Sequence, residues 1–338
     1  MGLFDLRVPY KPFEYPEFNK DGWFPQTYNH WVHTSIPMQS DVKNWNEHLT
    51  ESERHLVGNI LKGFAQTECA VSDYWSTYVT RWFPKHEIKE MAMAFGYFET
   101  IHAQGYSYLN EELGLTDFEA FLHDPAIADK FELLTETSND YTYEDLKVNP
   151  EARVEVARSL AIFSSFAEGV SLYSSFAVLY SFQMRNLLKG IGQQMVYSVA
   201  DESLHSKMGC LLFRKMCEEY PELKEQARES IAEAANLIVE LEEKFIDKMF
   251  EQGDLDNLRA YDLKQFIRAS KNVKITELGY TESEIPNFNY DEKAAENLEW
   301  FYHLTGGLKH TDFFAGRVTD YGKVQEKENL GDAFSFLD

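Results

Sequence analysis

The chain is 338 residues long, 44% hydrophobic and 15% aromatic, with a formal net charge of −24. That is enough apolar material for one large core or two small ones, and the acidic surplus excludes nucleic acid and anionic membranes as partners, since both attract basic surfaces. Three cysteines, Cys69, Cys210 and Cys217, form neither a CxxC nor a disulfide framework, and with no secretory signal a reducing cytoplasm is the expected compartment.

Residues 1–30 are rich in Pro and aromatics (VPYKPFEYPEF, DGWFPQTY) and show no helical period. They predict an extended arm, over residues 1–40, laid across a body. From residue 41 the signals are almost all helical. Thr50-Glu-Ser-Glu53 has capping-box spacing and opens a run towards Trp82 that Pro84 ends. A second helix is expected over 86–112, before Gly114. Residues 115–150 are mixed and polar, with short helices around FEAFL and AIADKFELL. A third long helix covers 150–185 and a fourth 188–219, stopping before Pro221. Further helices are expected at 222–252, 254–270 and 290–306, and NVKITELGY reads as a short strand. No linker divides residues 41–317, which read as one all-α bundle. Residues 318–338 are a polar, acidic tail ending in FSFLD, mobile on its own.

Residues 159–182, SLAIFSSFAEGVSLYSSFAVLYSF, are long enough to cross a bilayer and hold no Lys, Arg or Asp. Glu168 near their middle would be costly in lipid, and serines are spread along the stretch. The segment is therefore expected to be a buried helix of a soluble protein.

Carboxylates and imidazoles recur in these apolar runs. The second helix carries Glu99-Thr-Ile-His102 and the fourth Glu202-Ser-Leu-His205. In each pair the two side chains stand one turn apart, and Tyr106 shares the face of Glu99 and His102. A single ExxH is usually an ordinary surface pair. Here each is preceded by a helix holding one carboxylate in apolar surroundings, Glu68 in GFAQTECAV and Glu168 in SSFAEGVSL. The set Glu68, Glu99, His102 thus recurs about one hundred residues later as Glu168, Glu202, His205. Ferritin-like carboxylate proteins build a dinuclear iron or manganese site from this combination. Four carboxylates offset two divalent cations with hard oxygen donors, and one imidazole completes each shell. Without cations the carboxylates would repel one another and take up protons.

In order and spacing, Glu68, FETIHAQGY, FAEG and ADESLH resemble the radical-generating small (beta) subunit of class I ribonucleotide reductase. The similarity runs from KPFEYPE and NHWVHT to the acidic tail. The resemblance implies a ferritin-like fold and makes Glu68, Glu99, His102, Glu168, Glu202 and His205 the metal ligands. Tyr106 falls where many members hold a stable tyrosyl radical. Trp31 and Asp201 match the path joining the metals to the surface, and Tyr321 of RVTDYGK the tail tyrosine that passes the radical onward. The last residues resemble the peptide that docks on the large (alpha) subunit. A homodimer, with long apolar helices such as 86–112 at the interface, and in some groups a flavoprotein activator, are also implied.

Glu68 departs from the many tyrosyl-radical members that have Asp there. It resembles groups that store the oxidising equivalent on manganese, or on manganese and iron. The dimanganese group keeps the tyrosine and has similar N-terminal wording, but often has a lysine where this chain offers Ser72 and Asp73. A high-valent dimanganese centre is the preferred expectation, with di-iron, mixed manganese/iron or a tyrosyl radical as competitors. The rival function is a ferritin-like dinuclear oxidase or monooxygenase acting on its own substrate. A non-catalytic iron store or helical scaffold is the third reading.

Overall fold

The computed structural model describes residues 2–116 and 139–304, which are mostly helical and contain no strand. After a π-helical turn at Phe18–Trp23 come α1 (Phe24–Tyr28), α2 (Gln39–Glu47), α3 (Glu51–Asp73) and α4 (His86–Glu112). A second described stretch gives α5 (Tyr143–Val148), α6 (Pro150–Ile162), α7 (Tyr173–Met184), α8 (Lys189–Glu219), α9 (Glu222–Met249) and α10 (Ala260–Glu277). It closes with α11 (Glu292–Glu296) and α12 (Glu299–Leu304). The α6 and α7 helices form one rod joined by a π-helical stretch, Phe163–Ser171. Another π-helical turn, Tyr74–Val79, extends α3 towards Trp82.

Local chemistry sets the ends of these rods. Thr50 and Glu53 form the expected capping box: the Glu53 carboxylate accepts from the Thr50 amide at 2.8 Å and Thr50 Oγ1 from the Glu53 amide at 3.2 Å. Pro84 precedes α4, and Gly114 follows it at φ +72°, a left-handed conformation that glycine adopts without strain. Asn149 caps α6 and Pro150 occupies its first turn. The start of α8 is capped from a distance. Asp41 of α2 accepts from the Gly190 and Ile191 amides at 3.0 and 2.9 Å, and Asn44 Oδ1 from the Leu188 amide at 3.1 Å.

The bundle core is made by α3 against α4, α8 against the π-helical stretch and α7, and α8 against α4. Close approach of α8 to the π-helical stretch requires Gly209, since a Cβ there would collide with Ser164. Pro150–Met184 has the length and composition to cross a membrane, yet its apolar window is wholly buried inside the protein. It is a central rod of the bundle.

The fold corrects four expectations. The arm is not extended throughout: residues 18–28 are helical, and Phe18, Pro25 and Gln26 are buried. The helix expected at 254–270 lies at Ala260–Glu277, with residues 255 and 258 in an isolated bridge before it. NVKITELGY is not a strand; it forms the last turns of α10 up to Gly279, at φ +92°. Val273 and Ile275 mimic strand alternation, but the buried face of Leu263, Phe266, Ile267, Ser270 and Lys274 keeps the helical period. The helix expected at 290–306 is two short ones, α11 and α12. The helices expected around FEAFL and AIADKFELL, and the tail with Tyr321 and FSFLD, lie outside the described residues.

Candidate metal centre

The four core rods each deliver carboxylates or imidazoles to one point. Glu68 comes from α3, Glu99 and His102 from α4, Glu168 from the π-helical stretch, and Glu202 and His205 from α8. All six are fully buried. Their donor atoms form two overlapping quartets, Glu68, Glu99, His102, Glu202 and Glu99, Glu168, Glu202, His205, each with all atoms within 4.8 Å of one another. Glu99 and Glu202 belong to both.

The imidazoles are turned alike, Nδ1 inward and Nε2 outward. His102 Nδ1 lies 2.9 Å from Glu99 Oε2 and 3.0 Å from Glu202 Oε1. His205 Nδ1 lies 2.6 Å from Glu99 Oε1 and 3.6 Å from Glu202 Oε2. On the outside, Asp201 Oδ2 accepts from Trp31 Nε1 at 2.8 Å and sits 3.1 Å from His102 Nε2. A carboxylate can only accept, so Nε2 of His102 carries the proton and Nδ1 is the inward donor atom.

Trp31 also stacks on His102, with ring centroids 5.8 Å apart. Around the centre, Phe95 stacks on His205 at 4.1 Å, and Trp75 donates to Glu168 Oε1 at 2.5 Å. Tyr106 is fully buried against Phe64, ring centroids 4.6 Å apart. Its hydroxyl has no well-formed hydrogen bond among the described residues.

Packing these charges together shifts their proton affinities. Burial, then the Glu99 and Glu202 carboxylates, push Glu68 well above the usual carboxylate range, and burial pushes Glu168 the same way. Against burial, the His205 and His102 imidazoles hold Glu99 down to about 2. Burial would lower both imidazoles, but the adjacent carboxylates, Glu99 foremost, raise His102 well above its ordinary value and His205 to about 10. Burial and the Glu68 carboxylate raise the Tyr106 phenol.

The donor set fits a pair of divalent cations. Both oxygens of Glu68 and of Glu202, Oε1 of Glu99 and Oε2 of Glu168 are buried without a well-formed hydrogen bond among the described residues. Buried carboxylate oxygens are ordinarily satisfied, because leaving one bare costs several kcal/mol, on the order of 2–7 for a neutral polar group and more for a charge. These six oxygens converge with two inward Nδ1 atoms, a donor set that would hold two divalent cations.

The sequence profile described as "Ribonucleotide reductase, small chain" matches residues 7–283. The chain belongs to the ribonucleotide reductase small-chain family. A probable ribonucleoside-diphosphate reductase small subunit of Invertebrate iridescent virus 3 is 33% identical over 331 residues, covering 94% of this chain and 85% of the viral one. The dimanganese(II) NrdF of Streptococcus sanguinis shares the fold at TM-score 0.70 and 19% identity, over 89% of this chain and 99% of that one. A mutant R2-like ligand-binding oxidase with an aerobically reconstituted Mn/Fe cofactor shares it at TM-score 0.65 and 19% identity, over 78% and 94%. The fold is thus that of the ferritin-like reductase small chains. The chain is a subunit of an oxidoreductase that works with a large subunit, and family membership favours this over a self-contained oxidase.

Sequence reasoning named the six clustered residues, Tyr106, Trp31 and Asp201, and the structure brings all nine into one neighbourhood. It missed Trp75 and Gln26. Trp75 follows Glu68 at i+7 on the same rod, so helical spacing could have found it. Gln26 had no local signal.

Proposed function

We propose that this chain is the radical-generating small subunit of class I ribonucleotide reductase, with a dinuclear metal centre held by Glu68, Glu99, His102, Glu168, Glu202 and His205. The observation that carries this reading is the pair of overlapping buried quartets, six of whose carboxylate oxygens have no well-formed hydrogen bond among the described residues. When bound, the metals supply a strongly oxidising state that is passed to the large subunit for reduction of ribonucleotides to deoxyribonucleotides. Dimanganese is the preferred metal pair, because the first carboxylate is Glu68 rather than Asp. Di-iron and mixed manganese/iron are the competitors.

The chain's own residues divide the work. Glu99 and Glu202, shared by the two quartets, would serve both metals, while Glu68 and Glu168 would each serve one. Trp75 fixes Glu168 through its indole N–H, and Phe64 and Phe95 help keep water from the centre. Tyr106, against Glu68, is the radical site or a metal-adjacent phenol. Trp31, Asp201 and His102 form a hydrogen-bonded line from a residue only 7% exposed to the fully buried ligands, as an electron-transfer route requires. Tyr321 and the tail, outside the described residues, continue that route to the large subunit.

A homodimer forms across α4, where Met93 and Tyr97 are each 52% exposed and against which α1 packs with Phe24 and Tyr28 exposed. The compartment is the cytoplasm, and a flavoprotein serves as activator if the metals are manganese. Metal analysis combined with electron paramagnetic resonance of the activated protein tests the reading. Two metals per chain and a manganese hyperfine pattern that survives Tyr106→Phe are expected. A sharp organic signal lost in Tyr106→Phe moves the radical to the tyrosine. Absence of stoichiometric metal rejects the reading.

A further inference from the structure

The two histidines face inward alike but lean on different groups outside. His102 Nε2 meets the carboxylate of Asp201. His205 Nε2 meets Gln26, whose Oε1 lies 2.9 Å away. The same amide donates through Nε2 to Asp201 Oδ1 at 2.9 Å, leaving Oδ2 to Trp31 and His102. The direction of each bond is forced. Asp201 only accepts, so the amide N–H₂ turns towards it and the amide oxygen turns towards His205. His205 Nε2 must then carry its proton outward, which leaves Nδ1 as the inward donor atom. Gln26 is fully buried and comes from α1, the helical turn of the arm.

We propose that Gln26 is a positioning residue that orients His205 and makes the two metal positions unequal. The inference rests on the dinuclear reading above. An imidazole whose outer N–H meets a carboxylate is a more basic ligand than one whose outer N–H meets a neutral amide. The position served by His102 is therefore the tighter one. The position served by His205 is the weaker, and it depends on the Gln26 amide. Because that amide also occupies Oδ1 of Asp201, Gln26 keeps the two outer hydrogen-bond systems in register.

The test is Mn(II) titration of the full-length chain, with free Mn(II) followed by electron paramagnetic resonance and folding checked by circular dichroism. Wild type takes up two ions in a tighter and a weaker step. In Gln26→Leu the weaker step loses affinity by about 10–100-fold, while the tighter one changes by no more than about threefold. Gln26→Asn keeps the amide but falls short and loses the weaker step in the same way, and it serves as the deciding variant should Gln26→Leu fail to fold. Unchanged steps in either variant, or an equal loss in both steps, overturns the role of Gln26. Fewer than two ions in wild type overturns the dinuclear reading itself and this inference with it, a failure visible before any variant is made.

Discussion

The half of the site built by α3 and α4 and the half built by the π-interrupted rod and α8 use the same side chains in the same order. They differ in everything around those side chains. Glu68 sits on a regular helix beside a phenol, with both oxygens bare, whereas Glu168 sits on a π-helical stretch and is held by the Trp75 indole. His102 leans on a carboxylate and an indole, His205 on an amide. The repeated residues supply the charge two cations need. The unrepeated ones would decide what each cation's surroundings are, and two of them, Trp31 and Gln26, come from the arm.

Removing a shared ligand should erase the distinction altogether. Glu202→Ala, which takes an oxygen donor from both quartets, is expected to lose both metals, with apparent affinity down at least about 100-fold and turnover with the large subunit at background. Elemental analysis after dialysis measures the first, and a chain that keeps two metals refutes the shared role. Trp31→Phe is expected to separate the centre from its exit: turnover falls on the order of 100-fold while metal content stays at the wild-type value, because Phe keeps the stacking on His102 and Trp31 supplies no donor atom to the quartets. Equal loss of metal and turnover would make Trp31 a structural anchor instead.

Protons sharpen the comparison differently. Glu68 and Glu168 have raised proton affinity, as do His102 and His205, and each must give up a proton from its inward atom to bind a cation. Protons therefore compete with metal, so affinity rises with pH and falls on acidification. Each proton displaced contributes about tenfold per pH unit. Proton release in an unbuffered Mn(II) titration measures the number, and a pH-independent affinity contradicts the assignment. The smallest effect is expected far from the cations. Asp41→Ala removes the distant cap of α8, costing about 1–2 kcal/mol and lowering the melting temperature by a few degrees, with metal stoichiometry intact.

The helices and the two ExxH pairs could be read from the sequence because both obey the 3.6-residue period, and Glu68 and Glu168 because each is a lone carboxylate in an apolar run. The capping signals at Thr50 and Gly114 are local in the same way. What could not be read depends on residues far apart in the chain or on a broken period. The π-helical stretch around Glu168 leaves no mark in composition. Gln26 lies in a Pro- and aromatic-rich segment, and only its partners, 175 and 179 residues away, reveal what it does. The end of α10 misled because alternating Val273 and Ile275 resemble a strand, while the Lys274–Glu277 ion pair spans one helical turn.

The arm has a consequence for how the chain is made. Residues 2–31 are made before the residues that anchor them. Their anchors are Glu87, which accepts from the Glu14 and Tyr15 amides, Lys85, which pairs with Glu14, and Glu219, which accepts from the Leu3 amide. The last of these is translated some two hundred residues after the arm, and Asp201 and His205 only shortly before it. A nascent polypeptide that has not reached Asp201 thus lacks the outer partner of His102, and one that has not reached Glu219 lacks the last anchor of the arm that carries Gln26 and Trp31. Assembly of the buried cluster with its outer partners therefore waits until about two thirds of the chain has been made.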